Sequence, residues 1–272
     1  MPVCYDVREE IRGRVRLMSE YMRLVLTVCP LIFLGAFVDN VAGGGGLITL
    51  PAYMMAGLPV HLAAGTNKVV AGIGTATATV NFFRSGSIRL RIALWAAAGS
   101  LTGGFVGAEV AKSLPDQVLK GLMLVALPLV AVFLAVKKDF GQEPLSRQIA
   151  PRREVAVSLA IGLAIGLYDG IIGPGTGTFL IMAFTAFLSL DLVTASGCAK
   201  VGNLASNVAA ATSYIMGGSV LWKLVLPAAL CSVAGGYLGS RYAIRGGGKR
   251  IRGMIFLVLG MMFVKMLWEV IR

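Results

Sequence analysis

The chain has little charge and a single histidine, and each shortage excludes a class of protein. Only 14% of its 272 residues are charged, against about 25% in an average soluble domain. A soluble globular fold is therefore not expected. One histidine, His61, cannot assemble a metal cluster alone, and the apolar segments hold no Ser–His or His–Glu constellation. We expect neither an enzyme nor a bound metal or other cofactor.

Cysteine and acidic residues are scarce as well. The four cysteines form no CxxC motif, so we interpret them as small packing residues. The sequence has 13 acidic and 25 basic residues, which gives a formal net charge of +12. The basic residues lie in short links between apolar segments, as expected where Lys and Arg set membrane orientation. No basic strip interleaved with aromatic residues occurs, so no nucleic-acid partner is expected.

Apolar segments are what the chain has in abundance. Hydrophobic residues make up 57% of the sequence, and the mean hydropathy is +0.80. Long apolar segments recur from Leu24–Val38 to Met254–Val270, and roughly 20 such residues span a bilayer as a helix. The 35 glycines allow helices to approach closely in lipid. We predict an all-α, multi-pass protein of the bacterial inner membrane, in contact with lipid.

The chain also repeats itself. Ala195–Val220 resembles Ala63–Ile88 and lies 132 positions after it, because 195 − 63 = 132. Farther upstream, Asp169 lies 130 positions after Asp39, because 169 − 39 = 130. Internal symmetry of this kind is typical of secondary transporters. The repeat predicts a basic N-terminal segment (1–21), a first transmembrane half (22–136), a basic linker (137–153) and a second transmembrane half (154–272).

Each half begins with a long apolar segment, a glycine-rich turn and a second apolar segment of about ten residues. Ten helical residues are too short to cross a bilayer. We therefore predict in each half a glycine-tipped helical hairpin, re-entrant or crossing, followed by three transmembrane helices. The hairpin returns the chain to its starting side, and three further helices then give each half an odd net number of crossings. The second half is therefore inverted relative to the first. The basic links 84–91, 137–153 and 241–250 would then be cytoplasmic. The Arg-rich N-terminus conflicts with this orientation, so its side is left open.

The glycine-rich turns are candidate anion sites. Glycine lets backbone N–H groups approach a ligand, and the helix that follows offers its positive N-terminal end. The alternative is a tight turn needed only for packing. Lys68 and Lys200 are equivalent by the repeat and lie in mainly apolar helices. An ionisable group there is a functional candidate, although its ammonium could instead reach the headgroups.

The predicted substrate-binding residues are Gly43, Gly44, Gly45, Gly46, Thr66, Asn67, Lys68, Gly173, Gly175, Thr176, Lys200 and Asn203. Asp39 and Asp169 end the first helix of each half and are candidates for coupling or gating. They could pair with a lysine, carry a proton, orient the glycine turn or cap a helix end.

Three motifs together resemble a known family. GGGGLITLP (from Gly43), AAGTNK (from Ala63) and GGFVGAEVA (from Gly103) are similar to those of the TauE/SafE sulfite exporters, also called toluene-sulfonate uptake permeases. The resemblance covers about residues 25–272. It implies a polytopic transporter of sulfite, sulfonates, thiosulfate or related anions that works without a cofactor. The second half departs from the pattern, since Pro174 and Thr176 replace two glycines and Cys198-Ala199 replaces Thr-Asn.

The function that we expect is a secondary transporter, with export favoured, for sulfite or an organosulfonate-type sulfur oxyanion. Two alternatives stay open: an anion channel, and an importer of thiosulfate or of another small carboxylate or sulfur anion. A homodimer is also left open.

Overall fold

The computed structural model describes residues 7–115, 117–119, 121–122 and 150–271, and over these ranges it contains helices and no strands. The principal helices are α1 (Val7–Ala42), α2 (Gly46–Met55), α3 (Val60–Arg84), α4 (Leu90–Ser113), α5 (Pro151–Ile171), α6 (Thr176–Leu188), α7 (Leu192–Met216) and α8 (Trp222–Ile271). Most of the predicted fifth element of the first half and most of the basic linker lie outside the described residues.

Several helix ends follow from local sequence chemistry. The Asp191 carboxylate caps α7 by accepting the N–H groups of Val193 and Thr194, both at 3.0 Å, which satisfies two donors that have no partner within the helix. Pro151 begins α5, where its fixed φ suits the first turn. Gly247 has φ 62° inside α8. It marks the kink between the two segments that were predicted as separate helices.

Among the described residues, four helical segments are long and apolar enough to cross a membrane: Tyr21–Ala42, Leu90–Ser113, Pro151–Ile171 and Trp222–Val258. The short helices α2 and α6 have 10 and 13 residues. At 1.5 Å per residue they reach only about 15 and 20 Å, short of a core about 30 Å thick. The all-α membrane fold is thus confirmed.

The two hairpins, α1–α2 and α5–α6, meet tip to tip in the interior. The Thr178 hydroxyl donates to the Ala42 carbonyl at 2.6 Å, and the Thr178 N–H donates to the Gly43 carbonyl at 3.4 Å. Gly43 has φ 87°, and a Cβ there would overlap the backbone of Gly177. Glycine at this position therefore permits both the turn and the close contact between hairpins.

The halves interlock through reciprocal contacts. Gly103 of α4 packs on the Leu163 backbone of α5, and Gly235 of α8 packs in the same way on Phe33 of α1. Gly235 is the repeat equivalent of Gly103, and Leu163 that of Phe33. A two-fold exchange of the halves therefore maps one contact onto the other. The buried apolar core follows this arrangement, because both of its clusters draw residues from both halves.

Contacts between the links divide them between two ends of the bundle. At one end Arg89 pairs with Glu154 at 2.8 Å, which joins link 84–91 to the start of α5. At the other end the Lys112 ammonium donates to the Ser213 carbonyl at 3.1 Å, and the Tyr21 hydroxyl donates to the Lys223 carbonyl at 2.9 Å. Because α4 runs between the two ends, α1 and α5 enter the bundle from opposite sides.

Candidate functional site

Two crossed ion pairs lie where the hairpin tips meet. The Lys68 ammonium of α3 lies 2.8 Å from the Asp169 carboxylate and donates to the Asp169 backbone carbonyl at 2.6 Å. The Lys200 ammonium of α7 lies 3.4 Å from the Asp39 carboxylate and donates to the Asp39 backbone carbonyl. Each lysine therefore pairs with the aspartate of the other half. That aspartate lies near the C-terminal end of the first helix of its own half, where the helix dipole is negative.

All four charged groups lie inside the protein. The Lys68, Asp169 and Lys200 side chains are 7%, 3% and 0% exposed, and that of Asp39 is 19% exposed. Such groups are tolerated in an apolar surrounding only when they are partnered. Both ammonium groups are buried and paired within the protein instead of extending to its surface, which is not the geometry of a snorkelling lysine.

The two aspartates differ in how they are held. Asp169 accepts short hydrogen bonds from the hydroxyls of Thr176 and Ser206, both at 2.7 Å. Asp39 accepts longer ones, from the Gly45 N–H at 3.2 Å and the Asn203 amide at 3.5 Å. The carboxylate of the second half is thus fixed more firmly than its equivalent in the first half.

A cavity of about 40 Å³ lies beside the ion pairs. One water molecule needs roughly 10–15 Å³ on this measure, so the space suits about three waters or one small oxyanion. Ile32 and Val70 contribute apolar wall. The predicted site residues that line the cavity are Asp39, Gly45, Gly46, Asn67, Lys68, Asp169, Gly173, Thr176 and Asn203.

The other five predicted residues lie outside the cavity lining. Gly43 packs on Gly177 in the tip contact, and a Cβ on Gly44 would overlap Val258. Gly175 precedes α6 with φ 88°. The Thr66 hydroxyl accepts a hydrogen bond from the Leu221 N–H at 2.9 Å. Lys200 contacts Asp39 but is not among the lining residues.

Five polar residues that were not in the predicted site also line the cavity: Asn40, Thr49, Thr75, Asn207 and Ser232. Thr75 and Asn207 lie seven residues after Lys68 and Lys200, and so two turns along the same helix faces. They are also equivalent by the repeat. Helical spacing combined with the repeat could have found this pair, whereas no comparable signal marks Thr49.

Two amides in the cavity wall have unused hydrogen-bonding capacity. The side-chain oxygens of Asn40 and Asn67 are buried and have no hydrogen-bond partner among the described residues. A buried polar atom without a partner is costly, and a carboxamide offers both acceptor and donor groups to a ligand. Within the same residues, no cluster of three or more His, Cys, Asp or Glu could hold a metal ion. The two amide oxygens are therefore open to a polar ligand in the cavity.

Membrane-length helices around a polar, charged central cavity are the architecture of a polytopic membrane transporter. The family model described as sulfite exporter TauE/SafE matches residues 28–266. The chain belongs to this family, so the resemblance seen in its motifs is confirmed.

Curated relatives carry matching names. The chain is 34% identical to "Probable membrane transporter protein ORF9" of Sinorhizobium sp over 226 residues. This match covers 83% of this chain and 85% of the relative. It is 31% identical over 241 residues to a probable membrane transporter protein of Haemophilus influenzae, a match that covers 87% of this chain and 92% of the relative. It is also 31% identical over 236 residues to probable membrane transporter protein YfcA of Escherichia coli K12, covering 87% of each. No solved structure matches the chain significantly.

These relationships make the protein a multi-pass transporter of the bacterial inner membrane, with a transport role rather than an enzymatic one. The family model and the relatives' names specify neither the anion carried by this chain nor the direction of transport.

Proposed function

We propose that this chain is a secondary transporter that exports a small sulfur oxyanion, with sulfite as the leading candidate, and that it binds the anion in the cavity between the hairpin tips. One observation carries the proposal: Lys68, whose side chain is buried, lines a small, partly open cavity at the junction of the two hairpins. Export is taken from the family's description as a sulfite exporter.

The donors around the cavity suit an oxyanion. Lys68 supplies a positive charge, while the hydroxyls of Thr49 and Thr75 and the Asn67 amide supply neutral donors. An oxyanion needs several such donors once it leaves water. Gly45 and Gly46 form the turn at the start of α2, where a helix N-terminus favours an anion.

The cavity volume narrows the substrate class. Space for about three water molecules suits sulfite, thiosulfate or a comparably small anion. We therefore place inorganic sulfur oxyanions ahead of large sulfonates.

We propose that the halves, bounded as in the sequence prediction, are inverted repeats and that the bound anion is exposed to each side in turn. Entry of α1 and α5 from opposite ends supports this topology. The end that carries Arg84, Arg89 and Arg91 would be cytoplasmic, which places the start of α1 outside. Movement of the hairpin tips against each other would then open the cavity to one side at a time.

Flux in proteoliposomes tests the proposal. Purified protein is reconstituted and assayed for counterflow of sulfite, thiosulfate, taurine, sulfoacetate and sulfate. We expect saturable exchange that is strongest for sulfite or thiosulfate and weaker for the organosulfonates. Steady single-channel currents would favour an anion channel, whereas no exchange of any of these anions would refute the proposed substrate class.

A further inference from the structure

The unequal settings of the two aspartates suggest unequal roles. Asp169 receives the Lys68 ammonium and two short hydroxyl hydrogen bonds. Asp39 receives the Lys200 ammonium only at 3.4 Å, and its other donors are a backbone N–H and an amide at 3.2 and 3.5 Å. Asp39 is also the more exposed of the two carboxylates, and it lines the cavity.

Few other charged groups surround Asp39. Lys200 faces it from α7, while Lys68 of α3 and Asp169 of α5 line the same cavity. The parts of α2 and α8 that line the cavity contribute glycines, Thr49 and Ser232, none of which titrates near neutral pH. Among the described residues, the charged groups that share this surrounding with Asp39 are therefore the two lysines and Asp169.

A bound anion and an ionised Asp39 would be neighbouring negative charges, because Asp39 lines the cavity. Lys200 is fully buried, so it requires a negative partner at all times. An oxyanion that enters beside an ionised Asp39 meets like-charge repulsion, which is strong where water is scarce. Protonation of Asp39 removes that repulsion, and the anion in the adjoining cavity then supplies the negative charge that Lys200 requires.

We propose that Asp39 is the coupling site of this transporter, and that it takes up one proton as the anion binds and releases it as the anion leaves. The proton and the anion then cross together, outward when the anion's own outward gradient exceeds the inward proton gradient, while Asp169 stays paired with Lys68. This inference rests on the proposed function, and it specifies the ion coupled to transport at the same cavity.

The coupling has a measurable signature in the binding of the anion. Where Asp39 is mostly ionised, each rise of one pH unit lowers its protonated fraction tenfold. The half-saturating concentration of the anion then rises by up to about tenfold per unit. Asp39→Asn carries a neutral amide of the same size, so it mimics the protonated state and should bind the anion with little pH dependence.

The experiment uses wild-type protein and Asp39→Asn in proteoliposomes that contain a pH-sensitive dye. Thiosulfate is the first probe because it does not titrate near neutral pH, and sulfite is the second. We expect wild-type liposomes to move protons with the anion and to lose affinity as pH rises. Asp39→Asn leaves Lys200 without its carboxylate partner, so the yield of folded protein should fall. The exchange that remains should lose proton movement and show a half-saturating concentration that varies less than threefold between pH 6 and pH 8.

Two variants control for other carboxylates. Asp191→Asn removes a carboxylate outside the cavity while retaining a side chain that caps α7, and should behave like wild type. Asp169→Asn should lower the yield of folded protein and leave the pH dependence of the remaining exchange intact.

Wild-type affinity that does not change with pH would overturn the coupling proposal without reference to any variant. Proton movement that persists in a folded Asp39→Asn would also overturn it. If wild-type protein exchanges neither thiosulfate nor sulfite, the proposed function itself fails and the coupling proposal fails with it.

Discussion

Replacing Lys68 with methionine separates its part in stability from its part in substrate binding. Methionine retains much of the apolar side chain but removes the ammonium that lies 2.8 Å from Asp169. The buried carboxylate would keep only the Thr176 and Ser206 hydroxyls. Breaking a buried ion pair costs about 3–5 kcal/mol of stability. Loss of one charge-assisted hydrogen bond to the anion costs roughly 1.5–3 kcal/mol, or about 10- to 150-fold in affinity.

A double variant distinguishes the two effects. In Lys68→Met/Asp169→Asn no charged carboxylate is left without its partner, so thermal stability in detergent should recover toward the wild-type value. The half-saturating concentration of sulfite in counterflow should stay raised by at least tenfold, because the ammonium is still missing. Recovery of both quantities together would show that Lys68 acts only through folding.

Lys223→Met is the matched control. Lys223 is exposed, and its contact with Tyr21 is made by its backbone carbonyl. Lys112 suits this purpose less well, because its ammonium contacts Glu109 at 2.8 Å and the Ser213 carbonyl. Equal half-saturating concentrations for Lys68→Met and Lys223→Met, with both proteins folded, would refute the assignment of Lys68 to the anion site.

Two further predictions concern the fold. Gly43→Ala and Gly57→Ala both place a Cβ at positive φ, which costs roughly 1–2 kcal/mol, but only the Gly43 Cβ would meet another backbone. Thermal unfolding should therefore show a clearly larger loss for Gly43→Ala, and equal losses would contradict the tip contact. In a cysteine-free background, Ser219→Cys should react with an impermeant thiol reagent in intact cells, whereas Ser87→Cys should not. Labelling of both from outside would refute the inverted topology.

The helix boundaries show what hydropathy can and cannot predict. The first helix was predicted from Met22, whereas α1 begins at Val7, because hydropathy marks where the membrane part begins and not where helical hydrogen bonding begins. The short second helices were recognisable, since their apolar segments are too brief to span. The kink at Gly247 falls in the Gly246–Gly248 run, where glycine weakens a helix.

No local sequence pattern predicts which lysine pairs with which aspartate. The repeat identified two lysines and two aspartates as equivalent sets, but it did not determine which lysine meets which aspartate. The partners lie 101 and 161 residues apart in the chain, and each pair joins opposite halves. Such a pairing depends on how the halves interlock, which is a property of the packed helices.

Sequence alone determined the class of structure, because composition, apolar segment length and an internal repeat restrict the chain to helices in lipid. It also indicated the family through its glycine and Thr-Asn-Lys motifs. Only the tertiary structure decided that Asn67 and Lys68 line the cavity while Thr66 contacts Leu221. Successive helical residues point about 100° apart, so the packing of α3 against its neighbours selects which of three adjacent polar side chains faces the substrate path.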